Sequence, residues 1–226
     1  MTIRMDAARL RLGDADVLRD VSIELTARTT AVLGENGSGK SSFARVVAGL
    51  LRPTSGSVSV LGLDTDKQAS ELRRRTAMVF SNPDAQILMP TVAEDVAFSL
   101  RGGKRPADEV RETVAAALAE FDLAALADRS AHDLSGGQKQ LLALCGALVR
   151  RPDLVIADEP TAYLDARNAG RIADHLFGGR HRMLLVTHDL VLAERCDEAV
   201  LFVDGRIVAA GDSRSIVSQY QESLRC

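Results

Sequence analysis

The segment Gly34-Glu35-Asn36-Gly37-Ser38-Gly39-Lys40-Ser41 meets the spacing G-x-x-x-x-G-K-[ST] at every position. It follows a β-rich apolar run at 29–33 and precedes a helix-compatible stretch at 40–48, which Gly49 stops. A chain with this order must join a strand to a helix through one tight loop. Gly34, Gly37 and Gly39 allow backbone amides to turn inward around an anion, and the helix presents its positive end to the same point. Phosphate suits that geometry. Lys40 would reach the β- and γ-phosphates of ATP, and Ser41 is the expected magnesium ligand, since a hard cation between two phosphates takes hydroxyl and water oxygens. Asn36, Ser38 and Ser42 complete the candidate nucleotide loop, 34–42. The plainer alternative, an ordinary glycine-rich turn, leaves the flanking strand and helix unexplained.

A second run, 154–157, ends in Asp158-Glu159 and puts two carboxylates at the end of a buried strand, where ligands collect in open α/β sheets. One acid suffices for the metal. Asp158 would hold hydrated magnesium through water, leaving Glu159 to polarise an attacking water as general base. His188 follows the apolar run 183–187 and so occupies a comparable strand end. Alone it reads as a capping or loop residue; beside a phosphate loop and an acidic pair it is a candidate γ-phosphate contact.

The remaining pattern organises the chain around these sites. Short β-rich runs at 21–25, 57–61 and 76–80 alternate with turns in the first third, and 53–56 reads as a turn. From 91 to 126 the pattern becomes helical, opened by the capping-box spacing Thr91 to Glu94 and continued by an alanine-rich stretch at 107–121. That reads as an inserted helical lobe. After Leu134, strand and helix alternate again, with apolar runs at 154–157, 183–187 and 199–203 suggesting buried parallel strands, and a last helix-like stretch at 213–225.

Composition narrows the function classes. The chain has 28 Lys and Arg against 31 Asp and Glu, so it lacks the positive field that draws proteins onto nucleic acid or anionic lipid. No nucleic-acid partner is expected. Cys145, Cys196 and Cys226 form no CxxC pair, which points to a reducing cytosol rather than a disulfide framework or zinc site. Residues 1–12 interleave Arg4, Asp6, Arg9 and Arg11 with apolar residues and lack a signal-peptide core. The longest apolar run, 141–149, is about half of what a membrane-spanning helix needs. Any membrane role is therefore expected to come through a partner.

Leu134-Ser135-Gly136-Gly137-Gln138 precedes a long helix-compatible stretch at 139–150, so Ser135 and the next amides form a second anion site at a helix start. With this motif in view, the sequence resembles the nucleotide-binding domain of ABC-type ATPases across essentially the whole chain, 1–226. The motifs run in that family's order: phosphate loop, signature 134–138, acidic strand ending at Glu159, the loop Ala162-Tyr163-Leu164-Asp165, and His188. The resemblance implies an α/β fold: a phosphate-loop NTPase core, an N-terminal antiparallel β subdomain and an inserted α-helical subdomain at roughly 82–150. It implies ATP hydrolysis with Mg2+ in a head-to-tail dimer, a homodimer being favoured. There Ser135, Gly136, Gly137 and Gln138 of one copy close over ATP on the other, and Asp165 couples the two sites. Two positions depart from the family. Leu12 stands where an adenine-stacking aromatic is usual, which implies weaker base stacking and looser nucleotide choice. Ser81 replaces the glutamine that contacts magnesium and water and signals to the transport partner.

The segment 82–87 and its continuation 89–98 resemble the corresponding region of energy-coupling-factor transporter ATPases, with Gln86 matching a second glutamine of that region. This implies a peripheral place on the cytoplasmic face of the cell membrane, bound to an integral coupling protein and a substrate-binding membrane protein. Vitamins and transition-metal ions are that family's substrates. The end of the chain at Cys226, without the extension common in cobalt and shared-module versions, resembles the biotin type. The alternatives from other classes are a nucleotide-gated assembly module with little hydrolysis and a soluble non-transport ABC protein.

Overall fold

In a computed structural model describing residues 2–102 and 105–224, the chain runs β1 (Ile3–Leu12), β2 (Ala15–Leu25), β3 (Thr29–Gly34), α1 (Lys40–Val47), β4 (Ser55–Val60), β5 (Leu63–Asp64), α2 (Ala69–Arg75) and β6 (Thr76–Val79). It continues with α3 (Val92–Ser99), α4 (Ala107–Glu120), α5 (Gly136–Leu148), β7 (Leu154–Asp158), α6 (Ala166–Gly178), β8 (Arg182–Val186), α7 (Leu190–Ala193), β9 (Glu198–Val203), β10 (Arg206–Asp212) and α8 (Ser213–Ser223). Contacts divide it into two units: 1–78 with 153–159 and 181–226, and 79–152 with 160–180. Arg225 and Cys226, the end of the expected last helix and the third cysteine, lie outside the described residues.

The first unit holds two sheets. An antiparallel sheet has the order β2-β1-β4-β5, and the other has the order β10-β9-β3-β8-β7-β6. In the second sheet β3 pairs parallel with both β8 and β9, and β7 parallel with β8, as the uninterrupted apolar runs predict. β10 pairs antiparallel with β9 and is largely exposed. Its apolar run, Ile207 to Ala210, is short and only half-buried at best. β1 also goes beyond the expected strands. Its alternation of charge and apolar residues, taken above only as evidence against a signal peptide, is that of a half-buried strand: Ile3 and Met5 face inward, and after an irregularity at Ala7, which has φ 46°, so do Ala8 and Leu10.

α1 packs an apolar face onto the parallel sheet, with Phe43 and Phe202 in tilted contact at 5.0 Å between ring centres. The helix ends where the sequence places its stop. Gly49 adopts φ 67°, and the Gly49 and Leu50 amides return to the carbonyls of Val46 and Arg45.

The second unit carries α3 to α6. The expected helical stretch 91–126 is two helices, because the chain turns at Gly102 (φ 98°) after α3. The Thr91–Glu94 capping box forms in both directions. Cys145 and Cys196 are buried free thiols, and burial pushes each up to about 12. Among the described residues, no helix is long and apolar enough to cross a membrane.

Candidate functional site

β3 is buried along its length and delivers Gly34 to the head of the loop. A Cβ at Gly34 would collide with the Phe202 carbonyl, and one at Gly39, with φ 104°, would lie 2.8 Å from the Val17 carbonyl. Side chains are thus barred where the loop turns against β2 and β9. The Ser38 carbonyl accepts the Gly205 amide at 2.9 Å, which ties the loop to the β9–β10 turn.

Lys40 opens α1 and is only 7% exposed. Its Nζ donates to the carbonyls of Gly34 at 2.7 Å and Glu35 at 2.6 Å, so the ammonium is stored beneath the loop on backbone oxygens. Burial lowers its pKa, opposed by the charges of Glu159, Asp158 and Glu35. The neighbouring Ser38 hydroxyl is buried with no protein partner. A buried orphan hydroxyl, a stored ammonium and a loop of helix-starting amides together suit a polyphosphate.

Ser41 Oγ donates to Asp158 Oδ1 at 2.9 Å, although 117 residues separate them. A hydroxyl and a carboxylate oxygen brought together suit magnesium that keeps most of its water. Burial raises the pKa of Asp158, against the lowering effect of the Ser41 hydrogen bond, Arg45 and Lys40.

Glu159 leaves β7 at φ 52°, a left-handed conformation uncommon for a glutamate, while its amide still bonds to the Val186 carbonyl at 2.9 Å. That turn separates the two acids. Asp158 stays on Ser41, while Glu159 Oε2 lies 2.8 Å from His188 Nδ1 and accepts the His188 amide at 3.3 Å. Burial raises the Glu159 pKa, and His188 opposes the rise. Glu159 is thus a basic carboxylate for its class, its side chain 20% exposed beside the 71% exposed imidazole. The structure brings 34–42, Asp158, Glu159 and His188 together in the first unit; Leu12, also in that unit, is 43% exposed.

Ser81, Gln86, 135–138 and Asp165 belong to the second unit. Ser135 caps α5, its hydroxyl accepting the Gln138 amide at 3.3 Å while Gln138 Oε1 accepts the Ser135 amide at 2.9 Å. The amides of Gly136 and Gly137, in the first turn of α5, have no partner within the helix. Asp165 caps α6 through Asn168: its Oδ1 accepts the Asn168 amide and its Oδ2 the Asn168 side chain, both at 2.8 Å, and these bonds lower its pKa. Gln86 turns back onto its own loop, where Oε1 accepts the Phe80 amide at 2.7 Å.

Two partners escaped the motif reading. Gln140 donates to the Phe80 carbonyl, and Asn168 lies under the signature, where a Cβ at Gly137 would stand 2.6 Å from its side-chain carbon. Neither has a sequence mark beyond a polar residue in a helix. Gly137→Ala is expected to push the Asn168 side chain off Asp165 Oδ2, at a cost of about 1 kcal/mol. Gly137→Ala should cost nothing further in an Asn168→Ala background in thermal unfolding, and an equal loss there would refute the collision.

The family model described as "ABC transporter" matches residues 18–162. The biotin transport ATP-binding protein BioM of Rhizobium etli is 35% identical over 98% of this chain and 99% of its own length. The energy-coupling factor transporter ATP-binding protein EcfA1 of Bacillus subtilis is 37% identical over 86% of this chain and 71% of its own. Among solved structures, CbiO1 of Clostridium perfringens, part of the ABC transporter complex CbiONQ, superposes with a TM-score of 0.84 at 29% identity, covering 97% of this chain and 91% of that one. A dimeric ATP-binding cassette in a post-hydrolysis state with ADP and Pi gives 0.81 at 25% identity, covering 94% and 99%.

Proposed function

The chain belongs to the ABC transporter family and is one of its ATPases, and from that premise we propose that it powers a membrane importer of the energy-coupling-factor type. The observation that supports its ATPase activity is the Ser41–Asp158 bond at the phosphate loop, beside Glu159 held by His188. The substrate class favoured is a vitamin, biotin first, because the similarity to a biotin transport ATP-binding protein spans nearly the whole of both chains; a transition-metal ion is the other class.

Gly34, Asn36, Gly37, Ser38, Gly39, Lys40, Ser41 and Ser42 bind the phosphates of ATP. Ser41, and Asp158 through water, would hold Mg2+, which would supply charge neutralisation at the phosphate oxygens. Glu159 accepts a proton from the attacking water, its buried carboxylate being a stronger base than an exposed one. His188 orients Glu159 and faces the γ-phosphate. A second copy supplies Ser135, Gly136, Gly137 and Gln138, whose hydroxyl and helix-start amides stabilise transition-state charge as an arginine finger does in other phosphate-loop enzymes. Hydrolysis therefore depends on dimer closure. Asp165 couples the two sites, and Ser81 and Gln86 face the membrane partner. The whole chain acts as one ATPase domain with its helical subdomain near 82–150, peripheral on the cytoplasmic face of the membrane.

The test is recovery of the tagged chain from solubilised membranes of its native host. An integral membrane protein should co-purify, and phosphate release by the complex should depend on Lys40 and His188. Recovery from cytosol alone would refute the importer. Ser81, one carbon long where a glutamine is usual, favours a second reading as a nucleotide-gated assembly module with little hydrolysis, which robust phosphate release would exclude.

A further inference from the structure

The segment 80–89 of the second unit is fixed at three points. The peptide groups on either side of Phe80 are held by two glutamines: the Phe80 amide donates to Gln86 Oε1 at 2.7 Å, and its carbonyl accepts Gln140 Nε2 at 3.0 Å. Gln140 is 2% exposed and Phe80 is half-buried, so this bond is partly sheltered from competing water. At the short turn Pro83–Ala85, Asp84 pairs with Lys139 Nζ at 2.7 Å. The amides of Leu88 and Met89 share Asp95 Oδ1 on α3, at 2.7 and 3.0 Å. Leu88 itself is 65% exposed. The result is an apolar side chain displayed on a rigidly anchored loop.

Two of the three anchors, Lys139 and Gln140, are adjacent residues in the first turns of α5, next to the signature 135–138. Gln140 grips backbone, not a side chain, so displacement of Phe80 must either carry α5 with it or break a half-buried hydrogen bond. The Ser81 side chain contributes to neither anchor.

We infer that Lys139 and Gln140 are positioning residues that join the segment 80–89 to the signature end of α5, so that a partner bound at Leu88 is felt at Ser135–Gln138 without passing through the side chain at 81. This rests on the importer reading for the identity of the partner as a membrane protein. The link itself does not.

The experiment uses Gln140→Leu and Lys139→Met, with Lys139→Arg as the charge-conserving control, in the full chain alone and in the complex from solubilised membranes. In the chain alone, ATP should change amide hydrogen exchange across 81–89 in the wild type and in Lys139→Arg, and the two uncoupling variants should lose that change while keeping hydrolysis of their own. In the complex, stimulation of hydrolysis by the membrane protein should fall at least about 3-fold in the same variants. If Gln140→Leu does not fold, Lys139→Met carries the test. No ATP-dependent exchange at 81–89 in the wild type, or retention by both variants of either the exchange change or the stimulation, would overturn the link. A wild-type complex that lacks a membrane protein, with the exchange result intact, would instead remove the importer and leave the link standing.

Discussion

Glu159→Gln is expected to bind ATP with unchanged affinity and to hydrolyse it about 10²- to 10⁴-fold more slowly, the range for removing a positioned general base. The substitution is nearly isosteric. A glutamine oxygen can still accept the His188 amide that Glu159 Oε2 accepts at 3.3 Å, and the left-handed backbone at 159 is equally open to it. What disappears is the proton acceptor. Because closure onto ATP no longer leads to products, the variant should accumulate as a closed dimer, visible as an ATP-dependent doubling of mass in solution. Single-turnover hydrolysis at the wild-type rate would remove Glu159 from the mechanism.

Lys40→Met should act earlier, on binding. Methionine keeps the buried aliphatic stem but has no ammonium, so Gly34 and Glu35 lose their donor and ATP loses its charged contact. Hydrogen bonds to charged groups contribute about 1.5–3 kcal/mol, which corresponds to a dissociation constant raised about 10- to 150-fold. Calorimetric titration with ATP in the presence of magnesium measures it directly. An unchanged affinity would mean that the ammonium stays on its carbonyls when nucleotide binds. Glu159→Gln and Lys40→Met thus fail differently, one holding ATP without turnover and the other failing to hold it.

The parts legible in the sequence are those whose chemistry is local. Gly34 to Ser41 announce themselves because an anion site made of consecutive amides needs glycines at fixed offsets. The apolar runs at 154–157, 183–187 and 199–203 announce buried parallel strands because both faces of such strands are covered, and the fold class expected from the motifs is the one observed. Thr91 with Glu94 and Ser135 with Gln138 announce helix starts by a three-residue spacing. Where these local rules stop, the reading stops. β1 carried the right alternation, but the irregularity near Ala7 shifts its parity and hides the period of two. β10 pairs with β9, and its apolar run Ile207 to Ala210 is only half-buried at best and is followed at once by Gly211 and Asp212.

The site divides along the same line. From the sequence alone came the identities of the candidate groups, the loop 34–42, Asp158, Glu159, His188 and the signature, because each sits at a strand end or helix start that a short window defines. Their distances came only with the tertiary structure. That Ser41 meets Asp158 across 117 residues, that Glu159 turns away to His188, and that Gln140 rather than Ser81 holds the Phe80 peptide are consequences of sheet order and helix packing. Sheet order is decided by burial of the whole chain's apolar surface, a sum over residues far apart in sequence that no short window contains.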